Sequence, residues 1–354
     1  MNILADASLP GLIEAFPAPF KLTLYRNNKE LSNLLEHQDM LLCRAHLKVN
    51  HRLLKNHQLQ HVATASSGSD NLDHEYLQSH NITAMDAKGC NAVSVADYVI
   101  SCLSYLDKMH LMQGNKLGII GLGHVGLTVF KRVQAAGFEL FCFDPPKDEQ
   151  DEHFDSCTQE ELYDCDILCI HSELHTRPPH ASANLVNEYF LSLLKPGCII
   201  INAARGGIVD ENALLNKADS LIYCTDVYLN EPRVNKKIIE LSTLCTPHIA
   251  GHSLEAKYSA VSIISKKIHQ HLGLPLPVYA RPISPPKITV TDQQSWQEIA
   301  LTIYNPVDDT QRLKQAKDLE TAFVQMRKQH INRHDFYTYL AGGLDNTIKR
   351  VLSS

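Results

Sequence analysis

The sequence predicts an α/β protein in which a doubly wound parallel-sheet domain interrupts a smaller α/β unit, with a small α+β tail after both. Three observations lead there. A glycine pattern lies between two apolar runs in 116–146, strand-like and helix-like segments alternate on both sides of it, and five prolines crowd 275–286 before the composition shifts. Alternation of this kind implies parallel strands wrapped by helices.

Each element follows from its residues. Residues 1–92 offer short apolar strands at 2–5, 22–25, 40–43, 61–65 and 82–85, with helical patches at 30–37, 50–55 and 74–79 between them. An apolar helix at 93–106 crosses into the second domain. There the strands are expected at 117–120, 139–143, 166–170, 198–203, 221–227 and 243–245. Helices are expected at 125–136, 189–194, 211–218 and 236–241, with 147–156 as a polar linker. A long helix at 254–272 can return the chain to the first unit, so that unit is expected to hold 1–92 and 253–280, and the second domain 93–252. The tail, 285–354, reads as helices at 293–304, 310–317 and 318–330 with a strand at 288–290. Such a short module must dock on the body or on a second subunit, because alone it buries too little.

Composition limits the function. The chain of 354 residues carries 33 basic and 39 acidic side chains, a formal charge of −6, and no basic block. That argues against nucleic acid or an anionic membrane as the main partner. No apolar run approaches the ~20 residues that span a bilayer, and the first residues lack a signal-like pattern, so a cytoplasmic place is expected. The ten cysteines mostly sit in apolar strand-like runs, among them Cys142, Cys169, Cys198 and Cys224, and read as reduced, buried thiols. Cys165 and Cys169 are spaced unlike a zinc knuckle and no second pair answers them, so no metal is expected.

The glycines at 121, 123 and 126 have G-x-G-x-x-G spacing, after a strand and into a helix. Gly121 permits a tight turn, Gly123 lets backbone approach a pyrophosphate, and Gly126 lets helix and strand pack closely. His124 and Val125 stand at the helix N-terminus, where unpaired N–H groups favour phosphate. Asp144 ends the next strand, near the ~20-residue offset at which an acid meets a ribose 2′-hydroxyl. Its charge would repel a 2′-phosphate, so NAD is favoured over NADP. Alone, the glycine pattern is often only a flexible turn. Strand, helix and acid in place make it a dinucleotide site.

Three later fragments carry acid/base chemistry. In Asn202–Asp210 an arginine, Arg205, follows an apolar strand at once and could take a carboxylate through two parallel hydrogen bonds. Glu231, shortly after Asp226-Val227, could orient an imidazole. His248 follows the last strand in Pro247-His248-Ile249-Ala250-Gly251. Singly, each has a bland reading: a helix-capping arginine, a surface acid, a structural histidine. At successive strand ends beside a nicotinamide site they form an acid/base set.

These fragments resemble the D-2-hydroxyacid dehydrogenases, whose glycine-loop domain is inserted in a smaller, flavodoxin-like substrate domain. The family's trio is an arginine in N-x-x-R-G, a glutamate after an Asp-Val pair, and a histidine in P-H-I-A/G. Arg205, Glu231 and His248 occupy those places. The segments Ala87–Ala92, Arg44–Asn50, Tyr304–Leu313 and Phe323–Phe336 resemble the branch that oxidises a phosphorylated four-carbon 2-hydroxy acid with NAD in vitamin B6 biosynthesis. The resemblance implies catalysis by the trio and cofactor contacts from Ser172, Asp226 and Gly251. It implies substrate contacts at Arg44, Ala45, Ser66 and His252, and a homodimer through the tail. At Ala45 the branch has a serine, at Ser66 a threonine and at His252 a tyrosine, so one hydroxyl is lost and one phenol becomes an imidazole. Arg44, His46, Lys48 and His252 could together recognise the phosphate. Two other readings stand: a dehydrogenase of 3-phosphoglycerate or glycerate, and a non-catalytic NAD(H)-sensing interaction module.

Overall fold

The computed structural model describes every residue except 56, 218–219, 292, 331–332, 341–343 and 354. The chain divides into two compact units, Met1–Asn91 with Ser253–Ser284, and Ala92–His252 with Pro285–Ser354.

The first unit opens with β1 (Asn2–Asp6), α1 (Leu12–Ala15), β2 (Lys21–Tyr25), α2 (Leu31–Leu34), β3 (Met40–Cys43), β4 (His61–Thr64), α3 (His74–Ser79) and β5 (Thr83–Asp86). All neighbours pair in parallel, in the order β2-β1-β3-β4-β5, which is the flavodoxin-like order. β3 and β4 are buried at every residue, as central strands covered on both faces must be. The helix expected at 50–55 closes only one turn. The Asn50 side chain accepts from the N–H groups of Arg52 and Leu53, and such local bonding competes with helix continuation.

The second unit holds α4 (Ala92–Lys108), β6 (Lys116–Ile120), α5 (His124–Ala135), β7 (Glu139–Phe143), α6 (Pro145–Asp148), α7 (Gln159–Tyr163) and β8 (Ile167–Ile170). It continues with α8 (Glu188–Leu193), β9 (Ile199–Asn202), α9 (Glu211–Leu215), β10 (Ile222–Thr225), α10 (Lys236–Leu241) and β11 (Leu244–Cys245). α9 ends at Leu215, short of the expected 218, which itself lies outside the described residues. Part of the polar linker expected at 147–156 is helical. Asp144 caps α6 with Pro145 in its first turn, and just beyond that stretch Thr158 and Glu161 form a capping box on α7.

The sheet is wholly parallel, in the order β11-β10-β9-β8-β6-β7. Strand residues alternate between two cores. Leu117, Ile119, Ile199 and Ile201 face one, Ile120, Leu168, Ile170 and Ile200 the other. The order reverses between β6 and β8, where open α/β sheets leave a crevice at their carboxyl ends.

The chain returns to the first unit through α11 (Leu254–His271), whose Ala260, Val261, Ile264 and Ile268 share a core with Ile3, Ala5, Met40 and Leu42. The tail then forms α12 (Trp296–Ile303), α13 (Pro306–Lys314), α14 (Leu319–Gln329) and α15 (Asn346–Ser353). One tail expectation needs correction. The strand at 288–290 does not form, and among the described residues the tail is helical rather than α+β. Of the two dockings open to so short a module, its helices show the one on the body. Ile299, Ala300, Phe336, Val351 and Leu352 are buried with α4 and β6, while Leu313, Phe323 and Met326 join the core on the other face. Short amphipathic helices cannot bury their apolar faces alone, so they extend an existing core.

All ten cysteines are free. Among the described residues no helix is long and apolar enough to cross a membrane.

Candidate active site

The carboxyl ends of the six parallel strands gather nearly every candidate of the second unit. Behind β6, Gly121 has φ +92, and a Cβ there would lie 2.5 Å from the Ser172 nitrogen. A Cβ on Gly126 would lie 2.0 Å from the Gly121 carbonyl oxygen. Both positions therefore admit only glycine. At Gly123 a Cβ would meet nothing within 4 Å. Gly123 caps α5 without a side chain, so the first-turn N–H groups of this twelve-residue helix, at His124 and Val125, receive no side-chain acceptor from the cap. The crowded glycines shape the turn and the open one leaves room for a phosphate, the division of labour a dinucleotide needs.

Asp144 stands at the end of β7. One carboxylate oxygen accepts from the Leu122 N–H at 2.6 Å, the other from Lys147 N–H at 3.2 Å. The carboxylate thus ties the glycine loop to the neighbouring strand end. Behind β8, Ser172 Oγ and both ring nitrogens of His171 are buried without a hydrogen-bond partner among the described residues. Burial pushes the His171 imidazole down to about 3, so it is neutral at physiological pH.

The acid/base set is built behind β9, β10 and β11. After β9 the Asn202 side chain folds the turn, accepting from Ala204 N–H at 3.1 Å and donating to the Arg205 carbonyl at 3.2 Å. Half-buried Arg205 donates to the Ala204 carbonyl at 2.8 Å. A Cβ on Gly206 would lie 2.0 Å from the Tyr228 carbonyl, which fixes glycine after the arginine. After β10, Glu231 Oε2 meets His248 Nδ1 at 2.6 Å, and its Oε1 accepts from Tyr228 N–H at 2.9 Å. Burial opposes the Glu231 charge, yet the His248 charge, its hydrogen bond and the Tyr228 N–H hold the carboxyl below its ordinary value. An ionised Glu231 makes Nδ1 the donor, leaving Nε2 of His248 to exchange a proton with a ligand.

His248 itself has φ 55, in the left-handed region that only a few per cent of non-glycine residues occupy. Asp226 holds the loop there. Its buried carboxylate accepts from Thr246 Oγ at 2.7 Å, Ile249 N–H at 2.7 Å and Ala250 N–H at 2.8 Å. Burial pushes this carboxyl up, against the pull of His248 and of these donors. Asp226 therefore braces the loop on both sides of His248. Gly251 and His252 follow in the same loop, and the His252 ring lies 6.5 Å from that of His330.

In the first unit, Arg44, Ala45 and Ser66 follow β3 and β4. Arg44 is exposed and donates to Ser8 Oγ at 3.0 Å. Ser8 in turn donates to Asp6 at 2.6 Å. Ala45 is exposed and Ser66 half-buried. Sequence reasoning missed Thr246, whose hydroxyl links Asp226 to Tyr98 Oη at 3.0 Å. It also missed Glu211, which accepts from Leu229 N–H at 2.8 Å. Neither carries a motif of its own; only the folded loops bring them to the site.

Residues 104–250 match the family described as D-isomer specific 2-hydroxyacid dehydrogenase, NAD binding domain. An erythronate-4-phosphate dehydrogenase of Legionella pneumophila is 57% identical over 339 residues, 96% of each chain. One of Coxiella burnetii is 32% identical over 95% of this chain and 93% of its own length. Among solved structures, the NAD+-bound 3-phosphoglycerate dehydrogenase of Entamoeba histolytica superposes with a TM-score of 0.65 at 21% identity, over 77% of this chain and 95% of that one. At that identity the likeness concerns the fold.

Proposed function

The chain belongs to the erythronate-4-phosphate dehydrogenase branch of the D-2-hydroxyacid dehydrogenases, and on that premise we propose that it oxidises 4-phospho-D-erythronate to (R)-3-hydroxy-2-oxo-4-phosphooxybutanoate with NAD, in the synthesis of pyridoxine 5′-phosphate. Of the geometry, the Glu231–His248 pair at 2.6 Å beside the glycine loop carries the reading. The 57% identity over 96% of the chain favours it over 3-phosphoglycerate, glycerate or a sensing role.

The residues present fit the dinucleotide. Gly121, Gly123 and Gly126 with the N–H groups of His124 and Val125 would hold the pyrophosphate, and Asp144 the ribose. Ser172, Asp226 and Gly251 would border the nicotinamide. When bound, the oxidised nicotinamide supplies a hydride acceptor for C2 of the substrate. Arg205 would hold the carboxylate by parallel hydrogen bonds and polarise the C2 oxygen. His248 Nε2 would take the hydroxyl proton, while Glu231 fixes the tautomer through Nδ1 and stabilises the imidazolium. Arg44, Ser66 and His252 supply polar groups suited to the phosphorylated end, with Ala45 adding none.

A cytoplasmic homodimer assembled through the tail belongs to the same proposal. Light scattering of the full chain should give about twice 39.7 kDa, and a monomer at micromolar concentration overturns it. The function itself is tested by NADH formation with 4-phospho-D-erythronate beside 3-phosphoglycerate and D-glycerate, with a 2-oxo acid present to reoxidise retained cofactor. Preference for the four-carbon phosphate is expected. Turnover only of another acid would mean that Ala45 and His252 re-aim the pocket, and would overturn the substrate assignment.

A further inference from the structure

We infer that Arg333, in the C-terminal tail, is a positioning residue for the His248 loop, gripping the Ala250 carbonyl so that the imidazole keeps its place against Glu231. The inference rests on the dehydrogenase reading for its kinetic half only.

Arg333 is 8% exposed. Its Nη2 donates to the Ser94 carbonyl at 2.9 Å, and also to Ser94 Oγ and the Ala250 carbonyl. Ser94 Oγ donates to the same Ala250 carbonyl at 3.0 Å. The guanidinium lies over the Tyr304 ring, 4.8 Å from its centre, so the buried charge meets carbonyl dipoles on one side and an aromatic face on the other. Ala250 is thereby held at both polar groups, its N–H by Asp226 at 2.8 Å and its carbonyl by Arg333. Two residues earlier stands His248 in its left-handed conformation. Releasing one end of so short a brace lets the loop relax toward ordinary backbone angles. The imidazole is the atom set that suffers, since a shift of about 1 Å in a catalytic group costs on the order of a hundredfold in rate. Arg333 lies 83 residues beyond Ala250 and no motif announces it.

The test uses the full chain with Arg333→Met, Arg333→Lys and, as a control, Phe336→Leu, which disturbs the same tail's buried packing while keeping the Arg333 guanidinium. Carbethoxylation of His248 by diethyl pyrocarbonate, without substrate, is followed by peptide mass spectrometry against exposed His153. Arg333→Met should modify His248 about threefold faster or more, as expected of a locally loosened loop. It should lower kcat by about tenfold or more while KM for NAD stays within about twofold. Lysine, which keeps a donor, should recover part of both, and Phe336→Leu should leave both near wild type. Unchanged modification and kcat in Arg333→Met overturn the inference, and so does an equal loss in Phe336→Leu. Should the methionine variant not fold, Arg333→Lys is compared with wild type on the same readouts, with the same criteria at smaller amplitude. Failure of the wild type to oxidise any of the acids would sink the dehydrogenase reading, while the modification rates would still decide the role of Arg333.

Discussion

The two parallel sheets of this chain share an architecture and differ in what they place at their carboxyl ends. In the six-stranded sheet the strand ends are braced. Asp226 accepts three hydrogen bonds in a buried setting, Glu231 holds His248, and Asn202 folds the Arg205 turn. In the five-stranded sheet, Arg44 is exposed and tied by a bond to Ser8, with Ala45 beside it. Acid/base chemistry requires groups held to fractions of an ångström before the ligand arrives, whereas a charged end of a substrate can be met by side chains that adapt to it. On the proposed function, chemistry falls to the braced ends and substrate affinity to the loose ones.

Substitutions can break that division, and the largest expected effect is at the braced imidazole. His248→Asn should lower kcat by on the order of a thousandfold, the range of acid/base catalysis, with NADH affinity within about twofold. A large loss of NADH affinity with modest loss of kcat would refute the proton-transfer role. Next is the brace itself. Asp226→Asn leaves N–H donors of Ile249 and Ala250 poorly matched in a buried loop, at about 3 kcal/mol in urea unfolding. Ser8→Ala, which removes the partner of exposed Arg44, should cost less than about 0.5 kcal/mol; equal costs would erase the contrast between the sheets. Arg44→Ala should raise KM for 4-phosphoerythronate about tenfold and leave kcat within about threefold, since a lost charge-assisted contact of ~1.4 kcal/mol acts on binding. A fall in kcat with unchanged KM would move Arg44 into the chemical machinery. The smallest effect is in pH. The Glu231 carboxyl is held below its ordinary value in the folded chain, so its contribution is complete above the unfolded carboxylate pKa and is lost as pH falls through the folded value. Thermal scans of Glu231→Gln should therefore show a shallower fall in Tm on the acid side. An identical acid limb would mean that the His248 pairing adds no stability.

Much of the fold was legible because it is written locally. Runs such as Met40–Cys43, His74–Ser79, Glu139–Phe143 and Lys236–Leu241 have the observed bounds, and each joins a clear apolar pattern to a clear breaker. The glycine loop was legible for the same reason. The errors lie where local signals compete. Asn50 turned a helical patch into a single turn. The apolar residues near 290 suggested a strand, yet Val290 packs against the core without a strand partner. The capping box at Thr158–Glu161 was present in the sequence and overlooked beside its polar neighbours.

The sequence by itself determined the class of fold and the glycine loop, and set Arg205, Glu231 and His248 after successive strands, because a turn, a cap or a strand end depends on neighbours within a few residues. Only the tertiary structure decided how those groups are held. The Asp226 grip on Ile249 joins residues 23 positions apart, and the tail's Arg333 reaches Ala250 and Ser94 across 83 and 239 positions. Hydrogen bonds and burial across such separations depend on how whole elements pack, and no local pattern encodes that.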